Sequence, residues 1–268
     1  MNSVTPKIIF FDIDGTLTTS DTGEIPLSAK VSIRRLQQQG IHVVAATGRP
    51  YSLCGELVEL GIHTMITANG AYARRNEDII YEAKVETAFQ LELLAFAREQ
   101  GHALTFYNDA FYRNERQTEQ LSEAVRDAFN SDELPPILPS ETMPTNLICL
   151  IATAEQMAPY EKKFPSILFQ RWHRTIVNAL QQPNSKSIAI AHVLAYFGYT
   201  KEEAMAFGDG YNDVDMLEYV GFGIAMGNAP DVVKAHSNYV TKSAAEDGIY
   251  EALVALQIME RQDVTMKG

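Results

Sequence analysis

Four short segments of this chain gather residue types that can do chemistry on an anion. The first is Asp12-Ile13-Asp14-Gly15-Thr16, two carboxylates two residues apart, then a glycine and a hydroxyl that allow a tight loop with exposed backbone N–H groups. The second is Thr47-Gly48-Arg49, a hydroxyl and backbone amides leading into a predicted helix N-terminus, which favours negative charge. The third is Lys186, a cation preceded by the candidate helix caps Asn184 and Ser185. The fourth is Gly208-Asp209-Gly210-Tyr211-Asn212-Asp213, which adds two carboxylates and a carboxamide. A cation, a hydroxyl and amides can receive an anion, while paired carboxylates can act as nucleophile, acid–base or metal ligand.

Each segment is positioned by a predicted element. Residues 7–11 are an apolar run ending at Asp12. Continuous rather than alternating hydrophobicity predicts a strand buried on both faces, as in a parallel sheet. A helix is expected from Ser28, with Ala29, Ile33 and Leu36 on one face and Gly40 as its stop. Residues 41–46 read as a strand ending at Thr47, and Pro50 suits the first turn of a helix running to about Leu60. A third strand over 63–67 leads to Asn69-Gly70, which reads as a turn towards an insertion. After Pro183 the same alternation returns, with helices over 187–197, 213–219, 231–235 and 246–256 and strands over 204–207, 223–226 and 239–241. This grammar predicts an α/β fold, a doubly wound parallel sheet, where ligands bind beyond the C-terminal strand ends.

The middle of the chain reads as mixed α+β. Helices are expected over 87–100, 118–129 and 155–164, and strands over 104–107, 147–152, 167–170 and 176–179. Pro135, Pro136, Pro139 and Pro144 interrupt it. The expected organisation is one α/β domain, residues 1–81 and 183–268, split by an inserted domain over 82–182.

The chain has 268 residues, enough to bury a core without staples. Its net charge of −12 argues against a nucleic-acid or anionic-membrane partner, and requires any anion site to be made locally positive. Cys54 and Cys149 are far apart and no Cys/His group has zinc spacing, so both cysteines are expected to be packing residues. The N-terminus does not resemble a signal peptide and no apolar run reaches the ~18 residues of a membrane span, so the cytoplasm is the expected compartment. The oligomeric state is open, and a monomer is compatible with the sequence.

Asp-x-Asp-Gly-Thr, Thr-Gly-Arg, Lys and Gly-Asp-x-x-Asn-Asp, in that order, resemble the haloacid dehalogenase superfamily of phosphohydrolases. The late insertion, Gly223-Ile224-Ala225-Met226-Gly227-Asn228-Ala229 and Glu246-Asp247-Gly248 resemble its Cof-type branch, subclass IIB, whose inserted cap selects the substrate. The resemblance implies a Mg2+-dependent phosphatase of small phosphorylated metabolites, sugar phosphates first, working through an aspartyl-phosphate. Asp12 would be the nucleophile and Asp14 the general acid and base. Mg2+ would be held by the Asp12 and Asp209 side chains and the Asp14 backbone carbonyl. Thr47, Gly48, Lys186 and Asn212 would bind the phosphoryl oxygens. Asp213 would stand behind them, holding Lys186 or a metal-bound water. A phosphomutase, a phospho-accepting signalling module without turnover and a metabolite-binding protein are the alternatives.

Plainer readings accompany these. Asp12 alone could cap a turn, and Thr47 could cap a helix while also binding an anion. Arg49 reads as an exposed helix-start residue or ion-pair partner, ahead of a direct contact with substrate. Gly221-x-Gly223-x-x-x-Gly227 is one residue too long for a dinucleotide loop and falls too late in the chain. Arg171-Trp172-His173-Arg174 and the group Tyr107, Asn108, Tyr112 and Arg113 either face a ligand or pack the inserted domain, and packing is favoured.

Overall fold

The computed structural model describes residues 6–129 and 131–262. In chain order, β1 (Ile8–Phe11), α1 (Leu27–Gln38), β2 (His42–Ala46), α2 (Gly55–Glu59), β3 (Thr64–Thr67), β4 (Tyr72–Arg75) and β5 (Asp78–Glu82) come first. Next are α3 (Thr87–Gln100), β6 (Ala103–Tyr107), β7 (Phe111–Arg113), α4 (Glu119–Phe129), β8 (Leu147–Ile151), α5 (Ala158–Lys163), β9 (Leu168–Arg171) and β10 (Ile176–Leu180). The chain closes with α6 (Lys186–Phe197), β11 (Ala204–Gly208), α7 (Val214–Tyr219), β12 (Phe222–Ala225), α8 (Asp231–Ala235), β13 (Tyr239–Val240) and α9 (Gly248–Ala255).

Two compact units emerge, one of residues 6–48, 54–81 and 185–262, the other of 49–53, 82–129 and 131–184. The first holds an eight-stranded sheet in the order β13-β12-β11-β1-β2-β3-β4-β5. The pairings of β1 with β2 and β11, of β2 with β3, of β11 with β12 and of β12 with β13 are parallel, so the doubly wound α/β expectation holds. Central β1 is buried along its whole length, as its unbroken apolar run required. Ala29, Ile33 and Leu36 of α1 are buried, and Gly40 takes a left-handed φ of 77° after the helix.

Three local expectations need correction. The helix expected from Pro50 to about Leu60 is a 3-10 turn, Tyr51–Leu53, followed by α2, because Cys54 leaves the helical region (φ −113°, ψ 15°) and Gly55 is a poor helix former. The helix expected over 155–164 likewise divides into a 3-10 turn, Ala154–Gln156, and α5, whose first turn contains Pro159. Proline is accommodated at a helix start but not in its interior. Strands β4 and β5, β4 antiparallel to β3 and β5 next to it at the sheet edge, were not foreseen: Arg74, Arg75, Asp78 and Glu82 break any apolar pattern, and the turn between them uses Asn76 at φ 51°.

The second unit has a five-stranded sheet in the order β7-β6-β8-β10-β9. Leu104, Phe106, Ile148, Leu150, Val177 and Ala179 pack with Leu93, Leu94 and Ala97 of α3 and with Tyr160 and Phe164 at α5. On alternate positions, Thr105, Cys149 and Asn178 stand in register across three strands. Asn178 Oδ1 accepts from Cys149 Sγ at 3.3 Å and from Trp172 Nε1 at 2.9 Å. The neighbouring cations also serve this unit's own structure. Arg171 donates to the carbonyls of Ala152 and Arg174 at 2.8 Å, and Arg174 pairs with Asp127 of α4 at 2.8 Å. Asn108 closes its turn by accepting from Ala110 N at 2.7 Å, and Arg113 donates to the Asn114 carbonyl at 2.9 Å. Among the described residues no helix is long and apolar enough to cross a membrane.

Cys54 and Cys149 are free and buried, and burial pushes the Cys149 thiol up to about 12. At pH near 8 a thiol with that affinity for its proton is almost entirely neutral and unreactive. A thiol-reactive dye should therefore label the native protein at neither position over minutes, and both after denaturation. Fast labelling of the native chain would contradict the packing.

Candidate active site

Asp12 follows β1, and its backbone N–H donates to the Phe207 carbonyl of β11 at 2.9 Å, which ties the end of β1 to its neighbour. The chain then turns sharply: Thr16 N and Thr18 N both donate to the Ile13 carbonyl, at 3.2 and 2.8 Å. Gly15 lies in this loop at φ 89°, and a Cβ there would fall 2.3 Å from Asp209 Oδ2. Only glycine meets both demands. Asp14 sits on the exposed side of the loop.

Asp209 follows β11, beside Asp12 because β1 and β11 are paired. Thr16 Oγ1 donates to its Oδ1 at 2.7 Å and Asn228 Nδ2 to its Oδ2 at 3.0 Å. Asn228 also donates to the Gly15 carbonyl at 2.9 Å, so one carboxamide braces both loops. Asp213 is fully buried, and its Oδ2 accepts from the N–H groups of Asp209 and Gly210 at 2.9 and 2.8 Å.

Lys186 is the first residue of α6, whose cap Ser185 accepts from Ile188 N; Asp215 Oδ2 also receives the Ser187 N–H at 2.8 Å. The Lys186 side chain is fully buried, and Nζ donates to Asp12 Oδ1 and to Asp213 Oδ1, each at 2.5 Å. Burial alone would drive the proton off Lys186, but the charges of Asp12 and Asp213 overcome it and hold the ammonium above its ordinary value. Asp12 is pushed well above the carboxylate range, first by burial, then by Asp213, with Lys186 pulling the other way and Asp209 and Asp14 adding to the rise. Asp209 is pushed up to about 7 by burial and Asp213, against the Thr16 hydrogen bond.

Thr47, after β2, is fully buried and donates its N–H to the Ile66 carbonyl at 2.8 Å; Gly48 follows it. Asn212 Nδ2 donates to Asn69 Oδ1 at 2.9 Å. Arg49 groups with the second unit and bonds the Leu53 carbonyl at 3.4 Å.

Ligand oxygens of Asp12, Asp209 and Asp213 lie within 4.8 Å of one another. Three hard oxygen donors in one largely buried place fit a divalent cation of the hard class. This set contains Asp213 and not the Asp14 side chain, but the Asp213 oxygens already serve Lys186 and two amides. Thr16, Asn69, Asp215 and Asn228 are the site neighbours that sequence reasoning gave no such role. Asn228 lay within a recognised segment, which was the available signal.

The raised carboxyls carry a stability consequence. A carboxyl that holds its proton more tightly folded than unfolded stabilises the fold at low pH, and that contribution is lost as pH rises through the folded value. The metal-free protein should therefore melt at falling temperature as pH is raised from about 5 to about 8, the interval set by Asp12 and by Asp209 at about 7. A bound divalent cation should flatten the slope. Melting curves across pH, with chelator and with Mg2+, check this; a metal-free melting temperature that rises over the interval would refute it.

The sequence profile of the haloacid dehalogenase-like hydrolases matches residues 9–253. YkrA of Bacillus subtilis (strain 168) is 33% identical over 95% of this chain and 99% of its own. The 5-amino-6-(5-phospho-D-ribitylamino)uracil phosphatase YcsE of the same strain is 30% identical over 92% of this chain and 94% of its own. The solved structure of the subclass IIB sugar phosphatase BT4131 matches with a TM-score of 0.83 at 29% identity, over 94% of this chain and all of that one. With nearly its whole length matched by the profile and by these relatives, the chain belongs to the haloacid dehalogenase-like hydrolases, as a phosphatase of their Cof-type branch.

Proposed function

We propose that the chain is a Mg2+-dependent phosphomonoesterase of small phosphorylated metabolites, sugar phosphates first, acting through an aspartyl-phosphate on Asp12. The observation that carries this is Asp12 itself: a buried carboxylate at the end of a central strand, gripped by Lys186 and facing two further aspartates. Asp12, Asp209 and the Asp14 backbone carbonyl would hold the ion, which when bound neutralises the carboxylates and draws charge from a phosphoryl oxygen.

An Asp12 oxygen attacks phosphorus, and the bond from phosphorus to the leaving oxygen breaks. Asp14, two residues on and exposed on the loop, gives its proton to that oxygen, so an alcohol departs. Asp14, now a carboxylate, takes a proton from water, whose oxygen attacks the phosphoryl group and frees Asp12 with inorganic phosphate. Lys186, Asn212, the Thr47 hydroxyl and the Gly48 amide receive the phosphoryl oxygens as charge moves onto them. Asp213 keeps Lys186 charged and in place.

Sugar phosphates lead because BT4131 is a sugar phosphatase and the YcsE substrate carries a phosphorylated ribityl chain, both polyhydroxylated leaving groups. The insertion over 82–182 is assigned the choice among them. Free Cys54 and Cys149 suit a reducing cytoplasm.

Phosphate release from a panel of phosphorylated metabolites, with Mg2+ and with chelator, tests this reading. Turnover should need the metal, and Asp12→Asn should lower kcat by at least about a thousandfold without unfolding the chain. Activity that survives either change sinks the mechanism. Transfer of phosphate to a second sugar without net release would favour a mutase.

A further inference from the structure

Ala68, Asn69 and Gly70 follow β3, and all three stand in the left-handed region, with φ of 52°, 53° and 95°. Alanine rarely adopts that conformation, and all three residues are buried, so the surrounding contacts must enforce it. Those contacts reach three elements of the site. The Asn69 N–H donates to the Thr47 carbonyl at 3.0 Å, and a Cβ on Gly48 would lie 3.0 Å from Asn69 Oδ1. Asn69 Oδ1 accepts from Asn212 Nδ2 at 2.9 Å. Gly70 lies so close to the start of α6 that a Cβ would fall 2.1 Å from the Ser185 carbonyl and 2.9 Å from Lys186 N.

We infer that Asn69 is a positioning residue for phosphoryl binding, acting through Asn212; this rests on the phosphatase reading above. A carboxamide has two faces, one donating and one accepting. By accepting one N–H of Asn212, Asn69 keeps the NH2 end turned inward, with its second hydrogen available to a phosphoryl oxygen. Without that acceptor the amide can rotate and offer its carbonyl, which repels the same oxygen. The strained turn serves to bring Asn69 Oδ1 to Asn212, and Gly70 packs the turn on the helix that carries Lys186.

Asn69→Gly in the full chain separates positioning from folding, since glycine accepts φ 53° and removes only the side chain. The melting temperature should stay within a few degrees. KM for a phosphate monoester and the inhibition constant of inorganic phosphate should rise about tenfold, the worth of one lost hydrogen bond. The pair N69G/N212A should be no worse than N212A alone, because the two share one function. An unchanged phosphate inhibition constant, or additive losses in the double variant, overturns the inference. Should N69G fail to fold, N69A, which removes the same acceptor beside an alanine that already stands at φ 52°, supplies the readout: phosphate inhibition should weaken about tenfold, and no weakening overturns the inference. A wild-type chain that releases phosphate from no ester ends the phosphatase reading and this inference with it. A working wild type with an indifferent N69G ends only this one.

Discussion

The candidate site depends on one buried ammonium. Lys186 sits between Asp12 and Asp213 with its side chain wholly out of water. A buried cation is tolerable only because two carboxylates surround it, and those carboxylates are tolerable only because of the cation. The balance is incomplete. Asp12, Asp209 and Asp213 bring three negative charges and Lys186 one positive, 3 − 1, leaving a formal deficit of two. Burial first, and then the repulsion within that deficit, raises the proton affinity of Asp12 and Asp209. A divalent cation would cancel it, which gives an electrostatic reason for a metal independent of any likeness to relatives.

The sheet explains how residues nearly two hundred positions apart come to share that balance. In the order β12-β11-β1-β2-β3 every neighbouring pair is parallel, so all five C-terminal ends lie along one edge. Asp209 leaves β11, Asp12 leaves β1, Thr47 leaves β2 and Asn69 comes two residues past β3. Asn228, three residues past β12, extends the row. Carbonyls and amides at these ends bond across strands, as in Asp12 N to Phe207 and Thr47 N to Ile66, so the loops start from fixed points. Side chains that leave rigid strand ends are held more closely than side chains on free loops.

What could be read in the sequence follows from the same physics. Burial on both faces favours unbroken apolar runs, and such runs betray β1, β2 and β11, while β3, Thr64–Thr67, shows only Met65 and Ile66 and reads as a strand by its place before the Asn69-Gly70 turn. The polar break at the end of each run marks Asp12, Thr47 and Asp209 as loop residues at a shared edge. Strands β4 and β5 were hidden because an edge exposed to water needs no apolar pattern: residues 78 and 79 are exposed and Arg74 is buried by pairing with its own turn. The interruptions at Cys54 and before Pro159 were hidden because one or two residues decide them within an otherwise helical stretch.

Asn69 and Asn228 were illegible in their roles for a different reason. A carboxylate announces possible chemistry by its charge, whereas a carboxamide acts only through what the fold places beside it. Asn69-Gly70 carried a turn signal, and a turn is there, but the same left-handed geometry that makes it a turn also aims Asn69 at Asn212. Local turn chemistry and site construction are thus one event in this loop. The charge balance belongs to the same construction. A chain of net charge −12 hides one lysine among three aspartates, so the site keeps the negative sign of the whole molecule, and a divalent cation beside Lys186 would be needed before it could receive an anion.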